Sequence, residues 1–213
     1  MNEIAERGAW RPVTAVGHRV VNGGPKYWAP HRVTDDMIEE LRSLSAFEPE
    51  RLPEDIRLID AFGWRFPGVP QVACLDTAFH HDLPLGARLL PIPRRCEAQG
   101  LRRYGFHDLS DAFLIEELAR VAEAEAARGR VILAHLGSGA ILAAVQDGKS
   151  LDTSMGLTPA AGVLMSTRSG DLDPGLIGCL ARTEQMTPRQ LNTMVNFQSG
   201  LLRSPEPAPT CAS

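Results

Sequence analysis

Residues 130–153 read R-V-I-L-A-H-L-G-S-G-A-I-L-A-A-V-Q-D-G-K-S-L-D-T. Residues 130–135 predict a buried strand, closing at Gly137-Ser138-Gly139. Residues 140–145 and 150–153 flank Asp147-Gly148, a favoured two-residue hairpin turn. Upstream, Ser110 is placed to cap a long helix running to about Arg128. Its Leu114, Ile115, Leu118, Val121 and Ala122 form one stripe, and Gly129 ends it. Residues 13–21 predict a strand entering a tight turn at Gly23-Gly24. Thr34 followed by Asp35 and Asp36 predicts a helix start, with acids at the positive end of the dipole and Met37, Ile38 and Leu41 on its apolar side. Residues 71–75 predict a short buried strand with Asp76 at its end, and two further helices start near Asp173 and Pro188. Strands and helices alternate around one hairpin, so the fold class is α/β.

Composition narrows the function. The 213 residues carry 22 Lys plus Arg against 26 Asp plus Glu, a net charge of −4, with 44% hydrophobic and 23% charged residues. That balance excludes global disorder and argues against a nucleic-acid binder held by bulk positive charge. No apolar run approaches the ~20 residues of a membrane span. Residues 1–12 hold polar residues where a signal peptide has its apolar centre, so the cytosol is the default compartment. Cys74, Cys96, Cys179 and Cys211 form no C-x-x-C pair and are expected as free thiols packed like small hydrophobes. The proline-rich stretch 204–213 is expected to be a disordered tail.

Five constellations carry chemistry. Gly17-His18-Arg19 with Asn22-Gly23-Gly24 can present a guanidinium fork to a carboxylate or phosphate, or it can be a structural ion pair. Asp76 ends a strand where α/β folds place functional groups, or its carboxylate is taken up by turn amides. His80-His81 would face opposite ways on a strand and is expected to be a solvated pair. His107, in R-R-Y-G-F-H-D-L-S, sits before a helix N-terminus, as an anion-site residue or a capping or core histidine. His135-Leu136-Gly137-Ser138-Gly139 is a phosphate cradle or a plain turn; it lacks the third glycine of a dinucleotide fingerprint. Arg168 lies between Thr167 and Ser169 with Asp171 and Asp173 behind, a polar density that packing explains poorly.

These segments, in this order, resemble the acetate kinase family of carboxylate kinases. The matches are GHRVVNGG, FPGVPQVACLDTAFH, RRYGFHDLS, LAHLGSGA and LDTSMGLTP with LMSTRSGDLDP; TMVNFQSGLL also looks like a family segment. The resemblance covers about Val16 to Leu202. It implies a ribonuclease-H-like, actin-like ATPase fold, with residues 1–84 in part of a first domain and 85–203 in part of a second. It implies reversible phosphoryl transfer from ATP, with Mg2+, to acetate, propionate or another short-chain carboxylate, in a homodimer. The family's phosphate loop before the GHRVV motif and its later adenosine motif have no counterpart here, so the chain is expected to be truncated at both ends relative to the family. The alternative left open is a non-catalytic remnant or dimerising module.

Carried over by motif, Arg19 would bind the carboxylate and Asp76 would be the active-site acid. His107 and Arg168 would stabilise the transition state, and His135, Leu136, Gly137, Ser138 and Gly139 would form the nucleotide-phosphate loop. The chemistry agrees. Phosphoryl transfer needs positioning and charge neutralisation more than covalent help. A carboxylate nucleophile, with a pKa near ~4 to 5, is already ionised and needs no general base. Asp76 therefore suits orienting Mg2+ or an Arg better than accepting a proton. The sequence departs from the family at Asn22, Glu48, Asp108, Asp111, Ser138 and Ser166; Asp108 and Asp111 replace the Gly and His of H-G-T-S-H.

Overall fold

The computed structural model describes residues 12–203. The expected tail, 204–213, lies outside the described residues, as does Cys211. The chain divides into two compact units, one ending at Leu75 and one beginning at Asp76.

The first unit is built on strand β1 (Val16–Val20), the short β2 (His31–Arg32), helices α1 (Asp35–Leu44) and α2 (Leu52–Arg65), and strand β3 (Gln71–Leu75). β1 and β3 pair in parallel, as the helical crossover between them allows, and β2 closes the other edge of β3 antiparallel. Thr34 caps α1 by accepting from the Met37 amide at 3.3 Å, and Asp35 and Asp36 occupy its first turn, as expected. Met37, Leu41 and Leu44 of α1, Leu52, Ile56 and Ile59 of α2, and Val20, Ala73 and Leu75 of the sheet are all buried. Asp55 on α2 accepts from the Val21 amide at 2.9 Å, which pins the end of β1 to the helix layer. Gly23 is required by packing: a Cβ there would overlap the Tyr27 carbonyl oxygen.

The second unit begins with turns from Asp76 and two single-turn helices, α3 (Leu85–Arg88) and α4 (Arg94–Glu97). Helices α5 (Asp108–Val121) and α6 (Ala124–Arg128) follow, then the antiparallel meander β4 (Arg130–Leu136), β5 (Ala140–Gln146) and β6 (Lys149–Thr153). Helices α7 (Pro174–Thr183) and α8 (Pro188–Phe197) follow, capped by Asp173 and Thr187. The Asp147-Gly148 hairpin is as expected, both residues having positive φ, 53° and 72°.

Three expectations need correction. The long helix does not start at Ser110; it starts at Asp108 with His107 as N-cap, and it breaks before Glu123, whose φ is 72°. Ala and Glu favour helix on both sides of that break, so propensity does not mark it. The turn sends α6 back toward β4, where Ala127 is buried, and leaves Val121 exposed. β4 is not buried on both faces. One face packs Leu133, with Ala143 and Val145 of β5, against Leu114 and Ile115 of α5 and against Phe79. The other presents Ile132 and Leu136, 79% and 75% exposed, because β4 is an edge strand and α5 covers only one side. The three cysteines among the described residues are free, as expected, but Cys179 is exposed and Cys74 and Cys96 are half-buried, so they are not fully buried core residues.

Candidate active site

The second unit brings His107, His135, Gly139 and Arg168 together. β4 carries His135 to the edge of the core face, where its Nδ1 meets the Ser110 hydroxyl of α5 at 2.9 Å. The rings of His107 and His135 stack nearly parallel, 4.5 Å apart at 9°. The chain then turns through Gly137-Ser138-Gly139. A Cβ on Gly139 would lie 2.8 Å from His107 Nε2 and 3.1 Å from Arg168 Nη1. The imidazole and guanidinium tips therefore meet over one bare backbone position. The Gly137 amide donates to the Gly139 carbonyl at 2.9 Å, which leaves Ser138 and Gly139 as the loop's remaining donors. A cradle that a single methyl would fill, flanked by a cation and an imidazole, suits an anion's oxygens.

Arg168 is half-buried and held from behind. Its Nη1 donates to the Pro159 carbonyl at 3.0 Å. Its loop is laced to the C-terminal part of the unit: Ser169 N–H donates to Val195 O, Ser199 N–H to Thr167 O and Leu201 N–H to Met165 O, each between 2.9 and 3.1 Å. Asp171 closes the loop by accepting from the Gly162 amide at 2.8 Å. The segment TMVNFQSGLL thus acts as a brace for the arginine.

Asp76 is 2% exposed at the first position after β3. Beside it lies a group that sequence reasoning missed. His80, read as solvated, is 2% exposed. The alternation argument failed because β3 has already ended, and the turns after it rotate His80 inward and leave His81 partly exposed. His80 Nε2 stands 3.4 Å from both Asp108 Oδ1 and Asp111 Oδ2, and Nδ1 is 2.7 Å from the Ser150 hydroxyl. Burial pushes the Asp108 carboxyl well above the usual carboxylate range. The His80 amide, donating at 3.0 Å, works against this, and the nearby charges of Asp76 and Asp111 reinforce it. The signal available in the sequence was the acid pair at i and i+3 on the first turn of α5, one helical face just after His107.

Arg19 belongs to the first unit. It is exposed on β1, its Cα opposite Cys74 of β3, and the Asn22 side chain nearby accepts from the Gly24 amide at 2.8 Å. Among the described residues, no cluster of three or more His, Cys, Asp or Glu is set to hold a metal ion. The residues present do not form a protein cage for Mg2+, which ordinarily takes one or two carboxylates and completes its shell with water and substrate phosphates. None of the described helices is long and apolar enough to cross a membrane.

Solved structures share this fold. A propionate kinase from Francisella tularensis superposes with a TM-score of 0.85 at 38% identity, over 89% of this chain and 49% of its own. An acetate kinase from Porphyromonas gingivalis gives 0.82 at 34%, over 91% and 49%. The fold is therefore the ribonuclease-H-like, actin-like ATPase fold of those kinases, represented in part. The chain belongs to the Acetokinase family, whose model matches residues 1–206. An acetate kinase of Corynebacterium glutamicum is 43% identical over 190 residues, 89% of this chain and 48% of that protein. A propionate kinase of Citrobacter rodentium is 44% identical over 191 residues, 89% and 47%. The chain spans about half the length of the curated relatives it matches.

Proposed function

We propose that this chain supplies the phosphoryl-transfer centre of a cytoplasmic, homodimeric carboxylate kinase. The reaction is reversible transfer of the γ-phosphoryl group of ATP to acetate or propionate, giving an acyl phosphate and ADP. On this reading residues 1–84 contribute to one family domain and 85–203 to the second. The observation that carries it is the convergence of His107 and Arg168 over Gly139. A transferring phosphoryl group spreads charge over its equatorial oxygens, and a guanidinium beside an imidazole N–H neutralises that charge where it develops. The Ser138 and Gly139 amides would hold the nucleotide's phosphates, with His135 fixing the His107 ring by stacking. Arg19 would orient the carboxylate, which attacks as the anion. Asp76 would orient a cationic partner rather than take a proton. Mg2+ bound with ATP would supply further neutralisation of phosphate charge.

Production of ADP is the test. With ATP and Mg2+ present, ADP formation should rise on adding acetate or propionate and stay at baseline with a neutral amide of the same size. ADP formation that ignores the carboxylate would refute the acceptor. No ADP formation at all would favour a non-catalytic member of the family.

A further inference from the structure

We propose that His80 is a positioning residue for this centre: it clamps the first turn of α5 through Asp108 and Asp111 and thereby fixes the ring of His107 against His135. Its catalytic consequence rests on the phosphoryl-transfer reading; the clamp itself rests on geometry.

His107 needs a clamp. It is the N-cap of α5 with φ 63° and ψ 23°, and it makes no side-chain capping bond. A left-handed conformation is costly for a non-glycine residue and persists only where the surroundings over-determine it. The next residue, Asp108, is where the surroundings act. Its carboxylate accepts from the His80 amide at 3.0 Å through Oδ2, while Oδ1 lies 3.4 Å from the His80 ring. Asp111, one turn on, reaches the same Nε2 at 3.4 Å. Two carboxyl groups therefore face one ring nitrogen, each at ion-pair distance rather than hydrogen-bond distance. The opposite nitrogen is anchored on β6 through Ser150 at 2.7 Å. From the other side Gly105, with φ 67°, lies so close that a Cβ would overlap the imidazole carbon Cδ2. The segment that delivers His107 is thus wrapped on the His80 ring before it and tied to it after. His80, Asp108, Asp111 and Ser150 are all at most 4% exposed, so water cannot replace these contacts cheaply.

The test compares the full chain, with histidine rings isotopically labelled, as wild type, His80→Leu and His80→Gln. Leu keeps bulk and removes both nitrogens; Gln restores a donor toward the carboxylates. The readout is the ring signals of His107 and His135, which the close parallel stacking should displace upfield. His80→Leu should lose that displacement at both rings while circular dichroism shows the helices retained, and His80→Gln should recover part of it. A merely structural role would lower stability without separating the two rings in the folded state. Unchanged ring signals in folded His80→Leu therefore overturn the proposal. Should His80→Leu fail to fold, Asp111→Asn and Ser150→Ala each remove one contact and are read the same way; unchanged signals in both overturn it. In a turnover assay, kcat should fall by about 10²-fold, the scale of a ~1 Å misplacement, with KM for ATP little changed. A wild type without turnover counts against the phosphoryl-transfer reading alone, and the ring signals still decide the clamp.

Discussion

Gly139→Ala is the sharpest single perturbation of the site. The φ of Gly139 is outside the left-handed region, so alanine brings no backbone penalty and the effect is steric. The new Cβ would stand 2.8 Å from His107 Nε2, 3.3 Å from its Cε1 and 3.1 Å from Arg168 Nη1. Ordinary contact between such atoms is ~3.5 Å or more, so the imidazole must retreat by roughly 0.7 Å and the guanidinium by about half that. Both tips leave the point where they converge. If ~1 Å of misplacement costs ~10²-fold, this retreat costs about 10- to 10²-fold in kcat, or ~1.4–2.7 kcal/mol of barrier. Overpacking costs ~1–3 kcal/mol of stability, and here the low end is expected because the crowded atoms are side-chain ends. Gly137→Ala is the built-in control, since its Cβ would meet nothing nearer than 3.4 Å. The assays are acyl phosphate formation, urea denaturation and the His107 ring signal. Equal behaviour of the two alanine variants would refute the assignment of Gly139 as the floor of the site.

Other consequences are as direct. Gly105→Ala combines left-handed strain with overlap onto His80 and should cost ~2–5 kcal/mol in urea denaturation; a loss under 1 kcal/mol would mean the segment relaxes away from the ring. The folded state holds Asp108 protonated to higher pH than the unfolded chain, whose carboxyl ionises near 3.8. Between those limits the native state binds more protons, so stability falls as pH rises through that window. Asp108→Asn should therefore gain stability relative to wild type as pH is raised from 3.8 toward neutrality, whereas a pH-independent difference would contradict the assignment. Replacing Ile132 and Leu136 together by Thr should change unfolding free energy by less than ~0.5 kcal/mol per site while reducing light scattering on concentration; a large loss of stability would show that this face is covered.

Local signals reported local structure faithfully. The Thr34 cap, the Asp173 cap, the Asp147-Gly148 hairpin and the strand 71–75 all lie within a few residues of the chemistry that specifies them. His107, His135, Gly139 and Arg168 lie in one neighbourhood of the second unit, each at or beside the end of an element. The burial of His80 was not legible, because it depends on where β3 stops and on carboxylates 28 and 31 residues further on. Asp108 and Asp111 stand out in the sequence as departures from the family pattern and as an acid pair three residues apart; the fold shows that both face one imidazole. Nor could the four-residue apolar run 131–134 tell a strand buried on both faces from one covered on a single face, as β4 is. Burial on the second face depends on the covering layer, which periodicity does not describe.

The central claim is that Arg168 and His107 form a phosphoryl-transfer centre. Its most direct test is to incubate the chain with ATP, Mg2+ and acetate, trap acyl phosphate as the hydroxamate, and compare wild type with Arg168→Ala and His107→Ala under urea-matched stability controls. The expected result is hydroxamate from wild type and a loss of kcat in both variants with unfolding midpoints near wild type. Hydroxamate formed at the wild-type rate by folded Arg168→Ala, or none formed by wild type, would contradict the claim.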